Sequence, residues 1–107
     1  MNILILGDIV GPAGRKAVIE KLPGIIKKKK LDFIILNGEN AADPGVGITR
    51  KIVNDFFQVG ADVITTGNHV WDQKEVIDFI DSENRLLRPE NLVKGSPGKG
   101  YGIFKAK

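Results

Sequence analysis

Apolar residues follow two rhythms along this chain. Three short runs are nearly continuous and rich in branched side chains: "NILIL" at 2–6, "DFIIL" at 32–36 and "DVITT" at 62–66. Runs of this length and make-up predict strands of a parallel sheet with helices covering both of its faces. Their starts are evenly spaced at 2, 32 and 62, about the length of one strand–helix–strand unit. Between them the spacing changes to that of helices. Residues 12–30 place Ala17, Val18, Leu22, Ile25 and Ile26 on a helical stripe. The "LPG" at 22–24 is expected to break or kink that helix, because proline has no N–H to donate and its ring collides with the preceding turn. Thr49 suits the N-cap of a helix over 50–59, where Ile52, Val53, Phe56 and Phe57 share one face, and Gly60 suits the turn that ends it. Asp72 is expected to cap a third helix with Val76, Ile77, Phe79 and Ile80 facing inward. Glu75 would then complete a capping box.

Beyond Ser82 the pattern fades. "RLLRPENLVKGSPGKGYGIFKAK" holds four glycines and two prolines, with "YGIFKA" as a candidate last strand. The expected architecture is a single α/β domain with a parallel βαβαβα layered sheet. Its βα core occupies 1–82, and a loop-rich basic tail follows over 83–107.

At 107 residues the chain is at most one domain, and 42% hydrophobic content is enough for a real core. It contains no cysteine, so disulfides and thiolate metal sites are excluded and a cytoplasmic location is the default expectation. No apolar run approaches the ~20 residues of a membrane span, and the start "MNILILGDIV" does not read as a signal peptide. The net charge of +3 is unevenly spread. Residues 88–107 hold five basic residues (Arg88, Lys94, Lys99, Lys105, Lys107) against Glu90 alone, whereas the remainder is close to neutral. A basic tail is ordinarily a solvated one; attraction to RNA or another phosphate-bearing partner is the weaker alternative. The lysine run 27–30 reads as a solvated helix end, favoured by the negative pole of the helix dipole.

The chemistry lies where the strands stop. The first ends in Gly7-Asp8, the second in "NGEN" (Asn37 to Asn40) and the third in "GNH" (Gly67 to His69). Parallel strands bring all three to one carboxyl-terminal edge, where open α/β sheets bind ligands. Asp8, Glu39, Asn40, Asn68 and His69 are therefore expected to converge there. Two carboxylates and two amide oxygens are hard donors and imidazole adds a nitrogen, a set that suits Mn²⁺, Fe or Zn²⁺. A carboxylate such as Glu39 is able to bridge two cations. His69 is the only histidine and Trp71 the only tryptophan of the chain; Trp71 is expected to serve packing.

"ILGDIVGPAGR", "NGENAADPGVGIT" and "TTGNHVWD" together resemble the calcineurin-like metallophosphoesterase superfamily, and within it the small bacterial branch of YmdB-like phosphodiesterases. The branch carries Gly-Glu-Asn in its second block, as Gly38, Glu39 and Asn40 do here, and Val10 stands where the wider superfamily has histidine. The resemblance implies a binuclear site of two divalent metal ions, iron or manganese foremost and zinc or magnesium next. Such a site hydrolyses small-molecule phosphodiesters, 2′,3′-cyclic nucleotides or cyclic AMP. By position, Asp8 and Asn40 would ligate the first metal, Glu39 would bridge both, and Asn68 would ligate the second through its carbonyl oxygen. His69 would be the general acid. The family draws further histidine ligands from strands well downstream. The resemblance thus implies that these 107 residues are the N-terminal half of an αββα sandwich, expected to bind metal weakly and to turn over little by themselves.

Two other readings follow from the residues. One is a nucleotide-binding module without hydrolysis, suggested by Gly7, Gly11 and Gly14 after the first strand. Their spacing does not match G-x-G-x-x-G, and Asp8 would repel a pyrophosphate. The other is an interaction module in which an apolar sheet face or edge pairs with a second chain, so that the fragment self-associates.

Overall fold

A computed structural model describes all of residues 1–107. Four parallel strands form one sheet in the order β1 (Ile3–Leu6), β2 (Phe33–Asn37), β3 (Val63–Thr65) and β4 (Leu86–Leu87). They are joined by α1 (Gly11–Lys29), α2 (Arg50–Gln58) and a short α3 (Val76–Phe79) that runs into a 3₁₀ turn at Ile80–Ser82. The α/β class and the three strands expected from the apolar runs are present. The fourth strand is only two residues long, too short to register as a periodic run.

Spatial order equals chain order, so every crossover steps the same way across the sheet. Crossovers between parallel strands are right-handed, and a sheet that always steps in one direction collects its helices on a single face. This corrects the expectation of helices on both faces. Leu36, Ile64 and Leu86 lie in register across β2, β3 and β4 and are essentially without solvent exposure. With Ile34 they form one core with Val18 and Leu22 of α1, Ile52, Val53 and Phe56 of α2, and Val76 and Phe79 of α3. The alternate residues point the other way. Ile3, Ile5, Phe33 and Ile35 are paired in register on that second face, where Ile5 is 71% exposed. The strands read as fully buried because both faces are apolar, yet helices cover only one.

Part of the second face carries the C-terminal segment. The Phe104 ring lies 6.4 Å from that of Phe33, and the Lys107 N–H donates to the Asp32 carbonyl. The segment "YGIFKA" forms no strand. Its only sheet-like contact lies just upstream, an isolated bridge between Lys99 and Leu87, with the Arg88 N–H on the Lys99 carbonyl.

Helix α1 continues through Pro23 rather than ending at "LPG". Pro23 is on the exposed side of the helix, while Leu22 and Val18 are buried on the other. The hydrogen bond that proline removes is therefore lost where water can replace it. Lys30 ends the helix in a left-handed conformation at φ 50°, with Lys27, Lys28 and Lys29 in the last turn, as the dipole argument expects. Thr49 caps α2, its hydroxyl accepting from the Ile52 N–H at 3.3 Å.

The third helix departs most from expectation. Asp72 does not cap it, Ile77 is exposed, and Glu75 makes no capping bond to α3. The Glu75 carboxylate instead accepts from the Arg50 N–H at 2.9 Å, satisfying a free donor in the first turn of α2. The amino-terminal edge of the sheet is pinned by two acids. Asp62 accepts from the Ile34 N–H at 2.8 Å and Asp32 from the Asn2 N–H at 2.6 Å, each tying a strand to its neighbour. No helix is long and apolar enough to cross a membrane.

Candidate functional site

The loops at the carboxyl-terminal edge are stitched to one another through their backbones. The Gly11 N–H donates to the Asn40 carbonyl at 2.9 Å, joining the first loop to the second. The Gly38 N–H donates to the Thr65 carbonyl at 2.9 Å, joining the second to the end of β3. The Thr66 hydroxyl donates to the Leu87 carbonyl at 2.6 Å and draws in β4. Within the second loop, Arg15 of α1 donates to the Ala41 carbonyl at 2.6 Å and pairs with Asp43 at 2.7 Å.

On this frame sits a chain of polar side chains. The Asn40 amide donates to Asp8 Oδ1 at 2.9 Å. Glu39, adjacent in sequence, accepts from the His69 backbone N–H at 3.2 Å and from the Asn37 side-chain amide at 3.4 Å. The His69 ring reaches Asp72 Oδ2 through Nδ1 at 2.7 Å. Asp8, Glu39, Asn40 and His69 thus lie along one rim, although they come from three strand ends. Asn68 is on the same loop, between Gly67 and His69, but its side chain is exposed and makes no hydrogen bond.

Sequence reasoning missed two participants. In the sequence Asn37 is only the first residue of "NGEN", yet it is the last residue of β2 and its amide steadies Glu39. The signal was a lone polar residue closing an otherwise apolar strand. By local pattern Asp72 reads as a helix cap. The signal for its other role was its position three residues after the only histidine, within a tight turn that its own N–H closes on the His69 carbonyl at 3.1 Å.

The donor chemistry has one revealing defect. The side-chain carbonyl oxygens of Asn37 and Asn40 are buried with no hydrogen-bond partner. A buried acceptor without a donor costs about 1–3 kcal/mol. For Asn40, whose amide is committed to Asp8, a hard cation is a fitting partner for that oxygen. No three His, Cys, Asp or Glu side chains converge on one point. The rim offers mixed carboxylate and amide oxygens instead, a donor type that suits a hard cation. A concavity of about 680 Å³ lies elsewhere, between the start of β4 and the C-terminal segment, and none of the rim residues lines it.

Residues 4–107 match the family model described as "YmdB-like protein". The chain belongs to the YmdB-like family. A relative, the 2′,3′-cyclic-nucleotide 2′-phosphodiesterase of Bacillus subtilis, is 52% identical over 106 residues, covering 99% of this chain and 40% of the relative. A putative phosphatase/phosphodiesterase of Mycoplasma genitalium is 38% identical, covering 97% of this chain and 38% of the relative. Among solved structures, a hypothetical protein from Thermus thermophilus superposes with a TM-score of 0.89 at 39% identity, covering 98% of this chain and 40% of that one. A novel phosphatase from Mycoplasma pneumoniae superposes with a TM-score of 0.85 at 32% identity, covering 94% and 37%. This YmdB-like chain spans about two fifths of the length of the relatives it matches.

Gly67 offers a direct test of the rim. A Cβ there would overlap the Glu39 carboxylate, lying 2.6 Å from Oε2. The obstacle is the free end of a flexible side chain, so Gly67→Ala is expected to leave thermal stability within about 1 kcal/mol of the parent. It should nevertheless displace Glu39 from the His69 N–H. Amide chemical shifts check this. The His69 amide should move strongly while core amides such as Ile64 stay in place.

Proposed function

We propose that this YmdB-like chain carries one side of a phosphodiesterase site whose substrates are cyclic nucleotides, 2′,3′-cyclic phosphates foremost. The observation that carries the reading is the rim itself: Asp8 held by the Asn40 amide, Glu39 held by the His69 backbone N–H, and the Asn40 carbonyl buried and unpartnered. The Bacillus subtilis relative's name supports the substrate class. Asp8, Glu39, Asn40 and Asn68 are the residues that would hold two divalent ions; their all-oxygen donor set suits manganese, and iron is what the family resemblance implies. When bound, such ions supply an activated water and neutralise charge on the phosphate oxygens.

The chain's own residues do the rest. The Asn40 amide holds Asp8 and keeps its own carbonyl free for a cation. The His69 backbone N–H and the Asn37 amide hold Glu39 in place, so the carboxylate is oriented before any ligand arrives. His69 is the general acid. Its protonated ring would hand a proton to the leaving ribose oxygen as the P–O bond breaks.

No three His, Asp or Glu side chains of this chain converge on one point. The 107 residues alone are therefore expected to bind Mn²⁺ weakly by calorimetry and to hydrolyse 2′,3′-cyclic AMP barely above background. Replacing the matching portion of the Bacillus subtilis relative with this chain should give a metal-dependent, EDTA-sensitive hydrolase. In that chimera Asp8→Ala or Glu39→Ala should lower the rate by at least the ~10–100-fold that losing even an outer-sphere partner of a metal costs. Hydrolysis that persists in EDTA, or is indifferent to Asp8→Ala, would overturn the reading.

A further inference from the structure

We propose that Asp72 is a positioning residue for His69. It holds the imidazole in the tautomer protonated at Nδ1 and so reserves Nε2 for exchange with the substrate. The inference rests on the reading of His69 as general acid for its purpose, but not for its test.

Three observations carry it. First, Asp72 Oδ2 lies 2.7 Å from His69 Nδ1, a short contact between a carboxylate, which only accepts, and a ring nitrogen, which must then donate. Second, the geometry is fixed locally. The Asp72 N–H closes a turn on the His69 carbonyl at 3.1 Å and the Val70 N–H closes another on the Gly67 carbonyl at 3.0 Å. Val70 between them is buried, which anchors the turn to the core. Third, Asp72 has no competing duty. It caps no helix and no basic side chain other than His69 pairs with it, while Nε2 has no hydrogen-bond partner in the protein.

The chemical consequence follows from the two ring nitrogens being distinct. The hydrogen bond made by one decides which proton the other carries. With Nδ1–H committed to Asp72, neutral His69 presents a bare Nε2, and the protonated ring presents an Nε2–H. The proton delivered to a leaving oxygen therefore departs from Nε2, and the residual positive charge at the moment of transfer faces a carboxylate. In serine hydrolases a carboxylate behind the histidine plays the same part. There the change to an amide leaves the geometry intact but permits the wrong tautomer.

A single histidine makes the test clean. Long-range ¹H–¹⁵N correlation on the uniformly ¹⁵N-labelled 107-residue chain, at mildly alkaline pH, reports which ring nitrogen bears the proton. The wild type is expected to show Nδ1 protonated and Nε2 bare. Asp72→Ala should shift the proton's main location to Nε2. Asp72→Asn, which keeps the size but also offers a donor to Nδ1, should lose the preference as well. Backbone amide spectra of both variants should overlay the parent outside residues 67–75. A wild type protonated chiefly at Nε2, or variants that keep the Nδ1–H form, would overturn the proposal. Either result leaves the hydrolase reading standing, because that is decided by metal-dependent turnover. If Asp72→Ala does not fold, the wild-type spectrum and Asp72→Asn still decide.

Discussion

Phe56→Ala is expected to remove about 3–5 kcal/mol of folding free energy, the usual cost of truncating a buried phenylalanine. Phe56 is the largest side chain in the molecule that is wholly without solvent exposure. It lies on the inner face of α2, in the core shared by the sheet and all three helices. A small domain is stable by only ~5–15 kcal/mol, and this one leaves Ile3 and Ile5 of its second sheet face exposed. The variant is therefore expected to be largely unfolded at 37 °C. Urea titration followed by circular dichroism checks this. The midpoint should fall sharply with the slope unchanged. A loss below about 1 kcal/mol would show that the helices do not pack on the sheet as described.

Gly47→Ala is expected to be nearly as damaging, and for a different reason. Gly47 has φ +83°, a region that costs a residue with a Cβ roughly 1–2 kcal/mol. The added Cβ would also lie 2.6 Å from Gln73 Cγ and 2.8 Å from the Gln73 backbone nitrogen. Side-chain repacking relieves the first clash but not the second, and overpacking of this kind costs a further ~1–3 kcal/mol. The Gly47 N–H donates to the Glu39 carbonyl and the Gly47 carbonyl accepts from the Ala42 N–H at 3.0 Å. Any shift at Gly47 is thus passed to the loop that presents Glu39 and Asn40. The variant should show a melting temperature lowered by several degrees together with displaced amide resonances at Glu39 and Ala42. An unchanged melting temperature would exclude the packing of this loop against Gln73.

The strands and their shared edge were legible because parallel strands carry a strong local signal. Ile34, Leu36 and Ile64 sit in uninterrupted apolar runs, and the thirty-residue spacing leaves room for a single crossover helix. From that edge the convergence of Asp8, Glu39, Asn40 and His69 follows by topology alone. What could not be read was which face the helices take. Ile3, Ile5, Phe33 and Ile35 are as apolar as the residues that do pack under helices, so periodicity is silent, and only the one-way strand order decides. Pro23 was misjudged because its cost depends on whether the lost hydrogen bond faces water. Asp72 and Glu75 were misassigned to one helix because a capping pattern is a local rule. Here an imidazole and the first turn of α2, both absent from that rule, compete for the carboxylates and win.

The two rims of the sheet are furnished differently, and this has a consequence for how the molecule tolerates change. At the amino-terminal rim Asp32 and Asp62 are spent on clamping neighbouring strands through their N–H groups. At the opposite rim Asp8 and Glu39 clamp no strand, and their partners are other polar side chains or a loop amide. Fastening thus sits at one end of the strands and the candidate site at the other, so side chains at one end are replaceable without loosening the other.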